Sequence, residues 1–454
     1  MNKTLFGTDG IRGPYGSALI NESFAFNLGK AAATWLLTHN SSKQIRVVLG
    51  RDTRKSGICL VQALADGFKA KGVEVEDLGV VPTPLIARIV RDENLMLGIM
   101  VTASHNPASD NGFKCLGFGG RKLTDEQEKD LAHILAVLLS DSENKYVSNL
   151  VSSASYTLNL TRFTDAYFEA LKSVVAGHLK GWIICVDTAN GATWQTTPLI
   201  LRDLGAKVIG LGDNPDGTNI NFECGSEYPQ QLQQAVVKAH AQLGIAHDGD
   251  GDRCILCDEL GHSLDGDEIL AILGMHLLSE NKLSKKTLIA TVHSNLGLDL
   301  AIKQAGGKVI RTPVGDRHVA EAMQREGSAL GGESSGHIIS PALGPTGDGA
   351  AAALHVIAVM KKTGKKLSEL RMVMNKLPQA YIALPVKVKK PLSELKRLEQ
   401  CIKALEVRLG DEGLVLVRFS GTEDKLRLMV QAKDPLQAEA GLKALVAAAN
   451  EDLA

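Results

Sequence analysis

The sequence predicts an α/β protein: three similar α/β domains with mixed, largely parallel sheets, and a smaller C-terminal α+β domain, set around a central cleft. Three observations carry this expectation. The chain has 454 residues, room for three or four domains at about 100–200 residues each. A strand-like run followed by a helix-like stretch and two further runs recurs three times. Each recurrence ends in an unusual polar signature, TASHNP, DGDGDR or GESSGH.

The first unit opens its repeat at Val47-Val48-Leu49-Gly50-Arg51-Asp52, continues after Gly72 with Val73-Glu74-Val75, and reaches Leu97-Gly98-Ile99-Met100-Val101. Its next helix starts well: Thr124 can cap it, Gln127 completes a capping box, and Leu131, Ile134, Leu135 and Leu138 form one face. The second unit repeats the order at Ile183–Asp187, Ala206–Ile209 and Leu243–Ala246. The third does so at Leu288–Val292, Lys308–Ile310 and Ala329–Gly331. Strands alternating with helices favour parallel sheets, whose ligands bind beyond the carboxyl ends of the strands. Three signatures at one point of a repeat can therefore face one cleft.

The junctions are a Ser- and Asn-rich stretch at 140–155, the segment 254–261, and 377–392 with Pro378, Pro385 and Pro391. The expected division is 1–152, 153–256, 257–374 and 375–454. In the last part, Leu414–Val417 and Leu426–Val430 read as strands around a polar loop, with a helix after them.

Composition narrows the function. Net charge is −1 and aromatics are 4%, which argues against a nucleic-acid surface. The opening MNKTLFGTDG has no apolar leader, and no run approaches the ~20 apolar residues of a membrane span. A cytoplasmic protein acting on a small molecule is expected, with no nucleic acid or membrane partner. Seven scattered cysteines read as reduced thiols. Cys254 and Cys257 form a lone CxxC inside an apolar run, which reads as core thiols rather than a zinc site.

DGDGDR places Asp248, Asp250 and Asp252 on alternate residues. Three converging carboxylates are costly without a cation, and hard oxygen donors favour Mg²⁺ or Ca²⁺. Glu259 stands where an EF-hand would end, but Arg253 occupies the position that demands glycine, so the EF-hand reading is rejected.

Ser104 is the candidate nucleophile, though spacing alone does not separate it from Thr102. His105 would point to the opposite face on an extended chain, so a serine–histidine pair is not expected. A phosphate on Ser104 bridged by the metal would make sense of both signatures. Lys114 and His105 are candidates to move protons or neutralise phosphate. In Val417–Lys425, Ser420, Gly421 and Thr422 with Arg418 and Arg427 form a candidate phosphate cradle. Glu333 and Ser335 face one way on an extended segment and suit vicinal sugar hydroxyls, with His337 beside them.

The order FGTDGIRG, TASHNP, DGDGDR, GESSGH and RFSGTED resembles the α-D-phosphohexomutase superfamily over nearly the whole chain. Within it, Phe6–Gly13, Asn219-Ile220-Asn221, Cys224-Gly225-Ser226 and Val314-Gly315-Asp316-Arg317 are similar to the bacterial branch that interconverts glucosamine 6-phosphate and glucosamine 1-phosphate. The resemblance implies an isomerase, with Ser104 as phosphoserine and a 1,6-bisphosphate intermediate. It implies one Mg²⁺ per chain, held by Asp248, Asp250, Asp252 and the phosphorylated Ser104. Arg12, His105, Lys114 and Arg253 would lie near the transferred group, with Lys114 a candidate general base. Glu333, Ser335 and His337 would bind the sugar, and Arg418, Ser420, Gly421, Thr422 and Arg427 the other phosphate. The partner implied is a sugar phosphate, and homodimers recur among such relatives. Departures are Ser334, His318, Asp424, Phe419, His247 and His293. The alternatives are the same chemistry on mannose or glucose phosphates, and a sugar-phosphate-binding relative without catalysis.

Overall fold

The computed structural model describes residues 5–7, 10–39, 45–140, 146, 162–420 and 424–453. The expected repeat becomes three sheets of one plan. In each, a central strand lies between two parallel neighbours, and the second neighbour turns back into an antiparallel strand. The central strands are Arg46–Arg51, Ile183–Asp187 and Thr287–Thr291. The hairpins are Leu97–Val101 with Asp110–Gly117, Leu243–His247 with Cys254–Asp258, and Gly331–Gly332 with Ile338–Ile339. TASHNP, DGDGDR and GESSGH occupy the three hairpin loops.

Helices cover both faces of these sheets, so the inner strands are apolar throughout rather than alternating. Leu97–Val101 and Thr287–Thr291 are buried at every position. One apolar core runs through all three units, including Leu85, Ile86, Phe168, Leu171, Ile245, Leu270 and Ile357. In the first unit, helices Glu22–His39 and Gly57–Lys69 approach backbone to backbone. A Cβ added at Gly29 would lie 2.2 Å from the Leu64 carbonyl.

The expected capping box forms: the Thr124 amide donates to Gln127 Oε1 at 2.9 Å, and the Gln127 amide to Thr124 Oγ1 at 3.3 Å. It starts helix Asp125–Ser140, which buries Leu131 and Leu135. Asp348 caps helix Gly349–Thr363 and also accepts the Tyr167 hydroxyl at 2.9 Å, tying the third unit to the second.

Two expected junctions differ in detail. The division after residue 256 falls inside strand Cys254–Asp258, which pairs onward with Ser263–Leu264. The Pro-rich junction 377–392 contains a strand, Gln379–Pro385, because its prolines flank or end the ladder rather than interrupt it. That strand pairs with Lys425–Gln431, which pairs with Leu414–Phe419, all antiparallel. Helices Lys396–Leu409 and Pro435–Leu453 complete the C-terminal part around Leu398, Leu405, Leu428, Val430 and Leu445. Cys254 and Cys257 are buried thiols as expected. Among the described residues, no helix is long and apolar enough to cross a membrane.

Candidate active site

Ser104 sits in the first hairpin loop with a left-handed backbone, φ 52°, and no solvent exposure. For a residue with a Cβ that conformation costs roughly 1–2 kcal/mol and needs its surroundings to hold it. Thr102 supplies part of the hold: its Oγ1 accepts the Ser104 amide at 2.9 Å and donates to Asp52 at 2.6 Å. That separates the two hydroxyls, because Thr102 is spent inside the loop while Ser104 Oγ donates to Asp248 Oδ2 at 2.6 Å. His105 Nδ1 stands 3.5 Å from Ser104 Oγ and 3.3 Å from Arg253 Nη1. The chain here is curled, not extended, so the opposite-face argument fails, although the short contact of the serine is still with aspartate.

The acidic loop brings Asp248, Asp250 and Asp252 together, one carboxylate oxygen of each within 4.8 Å of the others, all buried. Close glycines permit this: a Cβ on Gly249 would come 2.5 Å from the Ser104 carbonyl oxygen. Asp248 Oδ1 accepts the amides of Gly251 and Arg253. Burial, then Asp252 and Asp250, push Asp248 well above the usual carboxylate range. Burial works against Asp252 as well, but Lys114, His337 and Arg253 outweigh it and hold that carboxyl low. Lys114 Nζ bonds both Asp250 Oδ2 and Asp252 Oδ2 at 2.6 Å. It therefore stands as an ammonium donor, and a part as general base would require it to leave those carboxylates. Asp250 Oδ1 and Asp252 Oδ1 are buried with no hydrogen-bond partner among the described residues. Orphaned carboxylate oxygens in a hard-donor cluster fit a divalent cation.

Arg12 lies on strand Ile11–Pro14, opposite Gly112 and close to Lys114 in the ladder. Arg253 Nε approaches Asp252 Oδ1 at 3.9 Å. The third loop packs on the second: the Cys254 amide donates to the Gly336 carbonyl at 3.1 Å. Asp252, Arg253, His293, Glu333, Ser334, Ser335 and His337 line one cavity of about 240 Å³. Glu333 Oε1 accepts the Gly315 amide at 3.1 Å, and burial raises its carboxyl. His337 is buried; the Gly347 amide meets its Nε2 at 3.0 Å, and its Nδ1 stands 3.7 Å from Asp252 Oδ2. The expected trio thus shares a wall, with His337 turned as much to the acidic loop as to the cavity.

From the C-terminal part, Arg418 and Arg427 are direct cross-strand partners. Like charges opposite one another are unfavourable unless an anion answers them. Arg418 Nε donates to His293 Nε2 at 3.0 Å, which joins this pair to the cavity. Ser420 is buried at the end of the same ladder, its amide bonded to the Lys425 carbonyl. Gly421 and Thr422 lie outside the described residues. Of the departures, His247 is a core histidine: Nδ1 bonds the Arg253 carbonyl at 3.1 Å and Nε2 meets Thr197 Oγ1 at 3.0 Å.

Sequence reasoning missed Arg54, Asp52 and Asn221. Arg54 is fully buried, bonds Asp52 Oδ2 at 2.9 Å, and donates to the carbonyls of Ser104, Asn106, Pro107 and Asp110. The signal was positional: Asp52 and Asp187 follow or end the central strands of two units, and each Oδ1 accepts the amide two residues on.

Four family descriptions match this chain: phosphoglucomutase/phosphomannomutase alpha/beta/alpha domain I over residues 3–139, domain II over 165–261, domain III over 265–377, and the C-terminal domain over 382–449. The phosphoglucosamine mutase of Pelobacter propionicus is 44% identical over 437 residues, 95% of each chain. That of Myxococcus xanthus is 43% identical over 457 residues, 100% of this chain and 98% of the relative. A phosphoglucomutase/phosphomannomutase family protein from Burkholderia thailandensis has a similar structure, TM-score 0.81 at 22% identity over 100% and 98% of the two chains. So does Aspergillus fumigatus N-acetylphosphoglucosamine mutase in complex with GlcNAc-6P and magnesium, TM-score 0.62 at 21% identity over 92% and 85%.

Proposed function

Because this chain belongs to the phosphoglucomutase/phosphomannomutase family, we propose that it is a phosphosugar mutase, an isomerase that interconverts glucosamine 6-phosphate and glucosamine 1-phosphate. For the chemistry, the carrying observation is the buried Ser104 hydroxyl 2.6 Å from the three-aspartate loop. For the substrate, it is the phosphoglucosamine mutases that are 41–44% identical over nearly the full chain.

In this reading a phosphorylated Ser104 gives its phosphoryl group to the free hydroxyl of the bound sugar monophosphate. The sugar O–P bond forms, the P–Oγ bond breaks, and the hydroxyl proton passes to a base in the cleft. The 1,6-bisphosphate then turns over, and its other phosphate returns to Oγ. Asp248, Asp250, Asp252 and the serine phosphate are the groups that would hold Mg²⁺, which when bound offsets charge on the transferring group. Arg12, His105, Lys114 and Arg253 supply the local positive or proton-carrying groups. Glu333 and Ser335 read sugar hydroxyls from the cavity wall, and Arg418, Ser420 and Arg427 hold the phosphate that is not transferred. The same grip serves both orientations of the intermediate. The free thiols fit a reducing compartment, the cytoplasm.

The test is kcat/KM of phosphorylated, Mg²⁺-loaded enzyme for glucosamine 6-phosphate against mannose and glucose 6-phosphates. A preference of about tenfold or more, ~1.4 kcal/mol of transition-state binding, supports the amino-sugar reading. A flat or reversed ranking favours a general hexose-phosphate mutase, the reading to which Ser334 on the cavity wall lends support.

A further inference from the structure

The Asn219-Ile220-Asn221 segment carries a side chain that reaches from the second unit into the serine loop. Asn221 is held by its own backbone, φ 60°, with its amide on the Ala189 carbonyl at 2.9 Å. Its Nδ2 donates to the carbonyl of Ser104 at 2.8 Å and to that of Asn106 at 2.9 Å. The same two carbonyls accept Arg54 Nη2, at 3.0 and 2.7 Å. Two carbonyls two residues apart can share two donors only if the chain curls tightly between them. That curl is the left-handed backbone of Ser104. Gly249 of the acidic loop packs on the same spot, where a Cβ would lie 3.0 Å from Asn221 Nδ2.

We propose that Asn221, together with Arg54, is a positioning residue for Ser104: the two amide hydrogens of Asn221 fix the serine backbone from the second unit, so the hydroxyl and the acidic loop of that unit keep one register. This rests on the reading of Ser104 as phosphate carrier. Arg54 does the same from within the first unit, but its buried partner Asp52 makes it a poor probe. Asn221 carries no charge and can be changed more cleanly.

Two variants test it. Asn221→Gly keeps the left-handed backbone accessible and removes the donors. Asn221→Asp keeps the shape and aims carboxylate oxygens at two carbonyls. The full-length enzyme is assayed with glucosamine 6-phosphate, and single-turnover phosphorylation of Ser104 by a hexose 1,6-bisphosphate is followed separately. Displacements near 1 Å can cost about a hundredfold in rate. Expected are a kcat and a serine-phosphorylation rate at least tenfold lower in Asn221→Gly and lower still in Asn221→Asp, with KM within about twofold and cooperative unfolding retained. Asn219→Ala, which loses only bonds to the Asn214 carbonyl and the Asp216 amide, is expected to keep kcat within about threefold. The proposal is overturned if both Asn221 variants keep kcat within threefold, if only KM changes, or if both lose cooperative unfolding, which would assign Asn221 to folding alone. Ser104→Ala is run beside them: if it retains mutase turnover, the carrier reading itself fails, whereas an inactive Ser104→Ala with active Asn221 variants removes the positioning role only.

Discussion

Ser104 Oγ and Asp248 Oδ2 stand 2.6 Å apart although 144 residues separate them. The hydroxyl proposed as nucleophile in one unit is thus set against the acidic loop of the next. Ser104→Ala is expected to lower kcat on the order of a thousandfold or more, the scale seen when a nucleophile is removed. No labelled phosphate should pass to the protein from a hexose 1,6-bisphosphate. Retained labelling at another residue would contradict the assignment.

The acidic loop should respond to metal removal. Bound divalent cation stabilises the fold by about 2.7 kcal/mol at a hundredfold excess over Kd. Mg²⁺ is therefore expected to raise the Tm of the chelator-treated enzyme. Asp248→Asn relieves a carboxyl that burial and its neighbours hold high. It should raise the Tm of the metal-free protein and blunt the Mg²⁺ response. An unchanged response in calorimetry would place the cation elsewhere.

Burial lowers His247 to about 4 in the folded protein, with its bond to the Arg253 carbonyl opposing. The unfolded value is about 6.5. Below pH 6.5 the unfolded chain binds the extra proton, so stability is full above that pH and falls as pH drops toward 4. The share lost between pH 7 and 5 is about 2 kcal/mol. Urea titrations should show the parent losing more over that range than His247→Gln; equal losses would exclude this histidine as the cause.

Arg418 and Arg427 face each other across one ladder. Arg427→Gln is expected to raise KM for the sugar phosphate at least about tenfold, since a charged hydrogen bond to phosphate contributes about 1.5–3 kcal/mol. Inorganic phosphate should raise the Tm of the parent more than that of the variant. Matching KM values would sink the cradle.

Arg54 and Asp52 form an ion pair with no solvent exposure on either side chain. Arg54→Ala leaves a buried carboxylate alone and is expected to cost about 3–5 kcal/mol. Arg54→Lys should recover only part, because an ammonium cannot span the same carbonyls. Denaturant unfolding of the two variants measures both; near-parental stability of Arg54→Ala would show the clamp to be dispensable.

The sequence by itself determined the threefold repeat, the capped helix at Thr124, the place of each signature at the end of its unit's third strand and the Asp248–Asp252 spacing. These are local properties: periodicity records which faces are buried, and alternate residues in a tight loop converge wherever that loop is placed. Only the tertiary structure decided that Ser104 rather than Thr102 faces the aspartates, that Lys114 stands between Asp250 and Asp252, and that Arg54 and Asn221 clamp the serine loop. It also decided that His293 joins Arg418 to the cavity. Each of those contacts spans about 50 to 144 residues, and all but that of Arg54 join different units, so they depend on how distant parts of the chain pack, which no local pattern encodes.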